Sequence, residues 1–211
     1  TAVVYNDSDP EALATAWAAR RLAFNLDAPR GRAIWAYHRL KGVTATSLTT
    51  AQKNALIAAN VNYYAPVTYT SGVEEAGFTW PGVMLSGRYI DTQTSVYLTQ
   101  ARIEEALLLA FLQASSTNDA IYMDDEGIQL LASVVLGVLE KLVRAGHYGD
   151  GAVSTISGRR TPYVDAPLVS SLSAAQKASR EITLSSEAVF AGAIQSVGNA
   201  STVGLDVTLS F

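Results

Sequence analysis

Two long, strongly apolar helical runs lie back to back between Asp91 and Gly146, and they constrain this chain more than any other feature. The first extends from about Asp91 to Ser115, capped by Asp91, and its stretch Ala106–Leu112 is apolar on every side. The second begins at Asp124 and stops at Gly146. Its polar residues Gln129, Ser133, Glu140, Lys141 and Arg144 share one narrow stripe, and the rest is mainly Ile, Leu, Val, Ala and Gly. Helices this apolar need cover on most sides, so both are expected as buried core helices. Their uncharged stretches, Ala106–Asn118 and Gly127–Leu139, hold 13 residues each, whereas crossing a bilayer takes about 20. Short strand-like runs surround them. The expected class is therefore α/β: a mixed sheet flanked by two long buried helices, with terminal strands available for exchange with neighbouring subunits.

Local signals set out the remaining elements. Ala2–Tyr5 is a short apolar strand stopped by Asn6-Asp7-Ser8-Asp9-Pro10. There Asp9 suits a helix cap, Pro10 the first helical position, and Glu11 the positive end of the dipole. Leu13, Trp17 and Phe24 mark the buried face of that helix, which Pro29-Arg30-Gly31 breaks. Ala33–Leu40 reads as a strand on its aromatic content, and Thr49 with Gln52 forms a capping box for a helix ending near Asn60. Val61–Tyr69 is strand-like, Ser71-Gly72 turns, Val83–Ile90 is a further strand candidate, and Ala120–Met123 a short internal one. Tyr148–Leu172, rich in glycine and carrying Arg159-Arg160, is expected as a mobile or partner-contacting loop. A short helix near Ser173–Arg180 precedes strands at Ile182–Val197 and Val203–Phe211. In the last, Val203, Leu205, Val207, Leu209 and Phe211 alternate with Gly204, Asp206, Thr208 and Ser210, so one face is meant to be buried. The chain divides accordingly into an α/β core over 1–147, an irregular loop and short helix over 148–181, and a C-terminal hairpin or exchange arm over 182–211.

Chemistry finds few residues to work with. There is no cysteine, and His38 and His147 are the only histidines, so thiolate nucleophiles and cysteine-ligated zinc are excluded. A net charge of −4 offers no basic footprint for nucleic acid. Asp124-Asp125-Glu126 could hold a cation, but neighbouring carboxylates at a helix start do not converge, and capping is the better reading. Gly146-His147-Tyr148-Gly149-Asp150-Gly151 resembles a phosphate loop, yet its glycines follow a helix C-terminus where phosphate needs an N-terminus. His38, among aromatics, reads as packed or surface-facing. Trp17, Trp35, Tyr63, Tyr64 and Trp80 could stack bases or sugars, with core packing the better expectation. No enzyme activity, metal or cofactor is expected; an α/β enzyme using Asp124-Asp125 or His38 is the alternative from another class. Charged residues make up 16% of the chain, against roughly 25% in an average globular protein. The surface is thus rich in Ser and Thr or partly covered by partners. Free edges at terminal strands recruit other strands. The expected subunit interface is Ala2, Val3, Val4, Tyr5, Val203, Leu205, Val207, Leu209 and Phe211, unless both termini pair within their own sheet.

Several strings, in order along nearly all of the chain, resemble contractile-tail bacteriophage sheath proteins. They are Trp17-Ala18-Ala19-Arg20-Arg21-Leu22 with Ala33-Ile34-Trp35-Ala36-Tyr37, then Asn60-Val61-Asn62-Tyr63-Tyr64, then Gly87-Arg88-Tyr89-Ile90-Asp91. Gln100-Ala101-Arg102-Ile103, Tyr122-Met123-Asp124-Asp125-Glu126-Gly127-Ile128 and Ala191-Gly192-Ala193-Ile194 continue the pattern. The resemblance implies a structural protein of the virion tail, assembled in the host bacterial cytoplasm. Its subunits would stack as rings, commonly hexameric, around a tail tube, with terminal strands completing a neighbour's sheet. Contraction would then drive the tube through the host envelope for genome ejection. The implied partners are copies of itself, the tail tube protein, and baseplate and tail terminator proteins, with neither nucleic acid nor membrane insertion. Family members usually carry more chain before this region, which implies the C-terminal, assembly-forming part of a sheath subunit. A non-contractile tail or baseplate adaptor of the same fold is the alternative within this class.

Overall fold

Helix starts follow capping chemistry. Asp9 accepts a hydrogen bond from the Ala12 N–H at 2.8 Å, and α1 (Pro10–Leu22) begins behind it with Pro10 in the first turn. Thr49 and Gln52 form both halves of the expected capping box for α2 (Thr50–Ala58). The longest helix, α3 (Ile90–Ser116), starts one residue before Asp91, which lies buried in its first turn. Asp124 accepts from Gly127 N–H at 2.7 Å and caps α4 (Asp125–Arg144). A second capping box, Ser173 with Gln176, starts α5 (Ala174–Ser179). The structure is a computed structural model of the 211-residue chain, and it describes residues 1–29, 31–32, 34–67, 76–117, 120–191, 198–199 and 207–208. The described chain groups into two compact units, one of Thr1–Asn25, Ala33–Gln93 and Gly192–Phe211, the other of Leu26–Arg32 and Thr94–Ala191.

In the first unit β1 (Val3–Tyr5) pairs parallel with β2 (Val61–Val67), and β3 (Ala76–Trp80) pairs antiparallel with β2, in the order β1-β2-β3. This mixed sheet, with helices around it, is the expected α/β class. Leu13, Trp17, Leu40 and Tyr64 form its core, with Val4, Trp35 and Ile90 packed against them. The buried face of α1 is Leu13, Trp17 and Arg21. Phe24 falls outside it because the helix ends at Leu22, earlier than Pro29 implies. Of the strand expected at Ala33–Leu40, the described residues 34–40 form no strand. Tyr37 has φ 61°, which breaks extended backbone, and the segment docks beside β3 through bonds between Tyr37 N and Thr79 O and between Thr79 N and His38 O. Nor is Val83–Ile90 a strand: it is a tight turn with Met84 N donating to Arg88 O and one bridge between Val83 and Tyr89. The partner of β2 is β3, whose Gly77 leaves room for the Tyr64 ring; a Cβ there would lie 2.5 Å from that ring. The Ser71-Gly72 turn lies outside the described residues. Gly198–Asn199 (β6) pairs antiparallel with Val207–Thr208 (β7).

In the second unit Val135, Val138, Leu139, Leu142 and Tyr148 form the core, and Leu98, Ile103, Ala106 and Leu107 of α3 pack on it. One side of α4 is buried as expected, although Leu130 on its other side is exposed. α3 is not a buried helix. Among its residues only Asp91 and Ser95 are buried, because α4 covers one face and no described segment covers the other. Gly146, at φ 83°, ends α4: Gly146 N donates to Val143 O and His147 N to Leu142 O, a Schellman stop and not a phosphate cradle. Ala120–Met123 is irregular and leads into the Asp124 cap. Tyr148–Leu172 is held by its own bonds, including Ser154 N to Arg159 O and Thr161 N to Ala152 O. Within it β4 (Tyr163–Asp165) pairs antiparallel with β5 (Ser185–Glu187).

Gly127 shows how tightly the α4 start is built. A Cβ at this position would lie 2.1 Å from the Tyr122 carbonyl oxygen, a backbone atom that cannot swing away. Gly127→Ala is expected to destabilise the second unit by about 2–3 kcal/mol through forced backbone displacement. An unchanged thermal midpoint would contradict this.

Candidate assembly surface

The polar residues singled out for chemistry hold the chain's own turns. Asp124 caps α4, and Asp125 Oδ1 accepts from Val169 N at 2.7 Å. Among the described residues no three His, Asp or Glu side chains gather as a metal site would require. The His38 Nε2–H donates to Ile34 O at 2.6 Å, and its ring lies 5.9 Å from that of Phe24. Burial lowers its pKa first, the Ile34 carbonyl opposes, and Arg20 and Arg21 add to the lowering, so the neutral ring is favoured. The aromatic residues behave largely as core. Trp17 meets Trp35 edge to face at 5.1 Å and donates its indole N–H to Trp35 O at 3.0 Å. Tyr63 is buried against the sheet, which pushes its hydroxyl up to about 12.

One pair went unseen in the sequence. Ser95 Oγ lies 2.7 Å from His147 Nδ1, and His147 Nε2 lies 2.9 Å from Leu26 O. A carbonyl can only accept, so Nε2 carries the proton and Nδ1 accepts the Ser95 hydroxyl. This is the geometry of a nucleophile beside a base, with both residues 0% exposed. The two stand 52 positions apart, with no motif to link them.

The terminal residues expected at a subunit interface are placed as follows. β1 lies at an edge of its sheet, with Val3 opposite Val61, Val4 opposite Asn62 and Tyr5 opposite Tyr63. Val4 packs on the core and Tyr5 is exposed, as is Ala2. Val207 pairs with Asn199 through its backbone. Val203, Leu205, Leu209 and Phe211 lie outside the described residues.

A further exposed apolar surface lies elsewhere, on α3. Val96, Tyr97, Leu108, Leu109, Phe111 and Leu112 are all exposed, Tyr97 to 64% and Leu108 to 60%. Exposed apolar side chains gathered on one helix are a common mark of contacts with other molecules. The low charge fraction was the signal for this in the sequence; which helix carried the surface was not.

No protein-family model and no curated protein matches this chain. A solved structure does: a chain of the "Cryo-EM structure of the anti-feeding prophage (AFP) baseplate, 6-fold symmetrised" superimposes with a TM-score of 0.58 over 81% of the present chain. The two share a fold. Their sequences are 11% identical, and the match spans 44% of that other chain, so this chain corresponds to less than half of its neighbour's length.

Proposed function

We propose that this chain is a structural, non-enzymatic subunit of a contractile, phage-tail-like particle, and within that class a tail sheath subunit. The carrying observation is the fold shared over 81% of the chain with a component of a six-fold baseplate structure. The ordered sheath-like strings and the exposed apolar face of α3 support the same reading. On it, copies of the chain stack as rings around a tail tube in the virion, assembled in the host cytoplasm and bounded by baseplate and terminator proteins. Strands at the termini tether neighbours while side-chain contacts between rigid bodies are exchanged during contraction, a bistable arrangement. That the neighbour is part of a baseplate favours a second reading, a baseplate or tail adaptor that does not contract.

Negative-stain electron microscopy of the purified protein, or of particles containing it, separates these readings. Long striated tubes or stacked rings are expected for a sheath, single discs or small closed assemblies for an adaptor. Monodisperse monomers, with no particle containing the chain, would count against both. Removing residues 203–211 is expected to leave a folded core that no longer polymerises; unchanged assembly would sink the strand-exchange element.

A further inference from the structure

We infer that the second unit carries both halves of a side-chain contact between copies, in which the outer stripe of α3 of one copy seats in an apolar groove of the next. Tyr97, Ala101, Glu104, Leu108, Leu112 and Ser115 recur at helical spacing on α3, and every one is exposed. From Tyr97 to Leu112 this ridge runs about 22 Å at 1.5 Å per residue. The groove, of about 710 Å³, is walled by Ile103 and Leu107 from the inner side of α3, Leu131 and Val135 of α4, and by Ile121 and Leu184. Its charged lining residues are Lys177 and Arg180, both exposed and without an ion pair among the described residues. Ridge and groove are therefore complementary in two respects. Tyr97, Ala101, Leu108 and Leu112 of the ridge match the apolar walls of the groove, and the acid of the ridge, Glu104, would meet the two cations at the groove. Glu104 accepts a hydrogen bond from Gln100 at 2.9 Å and has no cationic partner among the described residues.

This charge pattern favours a second copy as the occupant, because one chain carries the acid and the cations on two different surfaces. Such a contact is heterologous, so it closes into a ring or continues as a filament. It goes beyond the strand tethers of the reading above and is separable from them, since strand pairing uses backbone whereas this contact depends on side chains.

Sedimentation velocity on the full chain tests it. Glu104→Lys in one variant and Lys177→Glu with Arg180→Glu in another are each expected to weaken self-association about tenfold or more. Mixing the two variants should restore association, because each one's altered half then faces the other's. Combining all three substitutions in one chain should restore it too. All three residues are exposed, so unchanged thermal midpoints are expected and separate loss of contact from loss of fold. Association equal to wild type in both variants, no recovery on mixing, or a wild-type chain that stays monomeric at sub-millimolar concentration would overturn the contact. If charge reversal leaves rings intact while removal of 203–211 abolishes them, this contact falls and the sheath reading stands.

Discussion

Asn62→Leu is expected to cost the first unit about 3–5 kcal/mol, enough to unfold it near its ordinary working temperature. Asn62 is 1% exposed and uses its whole hydrogen-bonding capacity. Its amide donates to Val3 O at 2.9 Å and to Val83 O at 2.8 Å, while Oδ1 accepts from Gly82 N at 2.9 Å and Val83 N at 2.8 Å. One side chain thus joins β1, β2 and the turn leading to α3. Leucine has nearly the same shape, so packing is largely kept, but four backbone groups lose their partner in a dry interior. Each such loss costs about 1–3 kcal/mol, less wherever the turn can relax toward water. Chemical denaturation of the variant measures this directly. A loss below about 1 kcal/mol would mean that the turn does not depend on Asn62.

The second large effect concerns His147. Its ring bonds Ser95 and Leu26 O, and its carbonyl accepts from Arg32 at 3.2 Å and Ala191 N at 3.2 Å, so this one residue ties four segments of the second unit together. His147→Ala removes the ring from a site with no exposure, leaving a void, an unpaired carbonyl and a hydroxyl without its acceptor. The expected loss is about 3–5 kcal/mol. Ser95→Ala alone should cost about 1–2 kcal/mol, since it leaves the Nδ1 lone pair unsatisfied. The double variant should fall short of the sum by about 1 kcal/mol, because both substitutions delete one shared bond. Strict additivity would show that the 2.7 Å contact contributes nothing to folding.

How much of this was legible in advance depended on distance along the chain. The Asp9 and Asp124 caps and the Thr49–Gln52 box are local, each settled by side-chain and backbone groups within three residues, and all formed where the residues stood. The Schellman stop at Gly146 is equally local. By contrast, β3 was hidden because Gly77 reads as a breaker, and only the Tyr64 ring lying over it makes a strand there sensible. Ala33–Leu40 failed in the opposite direction. Its aromatic residues suit a strand, but Trp35 and Ala36 serve core packing while Tyr37 turns the chain at φ 61°.

The sequence by itself determined the class, the capped starts at Asp9, Thr49 and Asp124, the stop at Gly146 and the poverty of chemical groups, because propensity, capping and composition act within a few residues or do not depend on position. Tertiary structure alone decided which apolar faces are covered and which polar groups meet. The runs of α3 and α4 are both read as buried, yet α4 lies against a core and the outer face of α3 has no described segment upon it. Ser95 and His147 meet for the same reason. Burial is a relation between surfaces brought together by the whole chain, and hydrophobic pattern records only that a surface wants cover, not what will supply it.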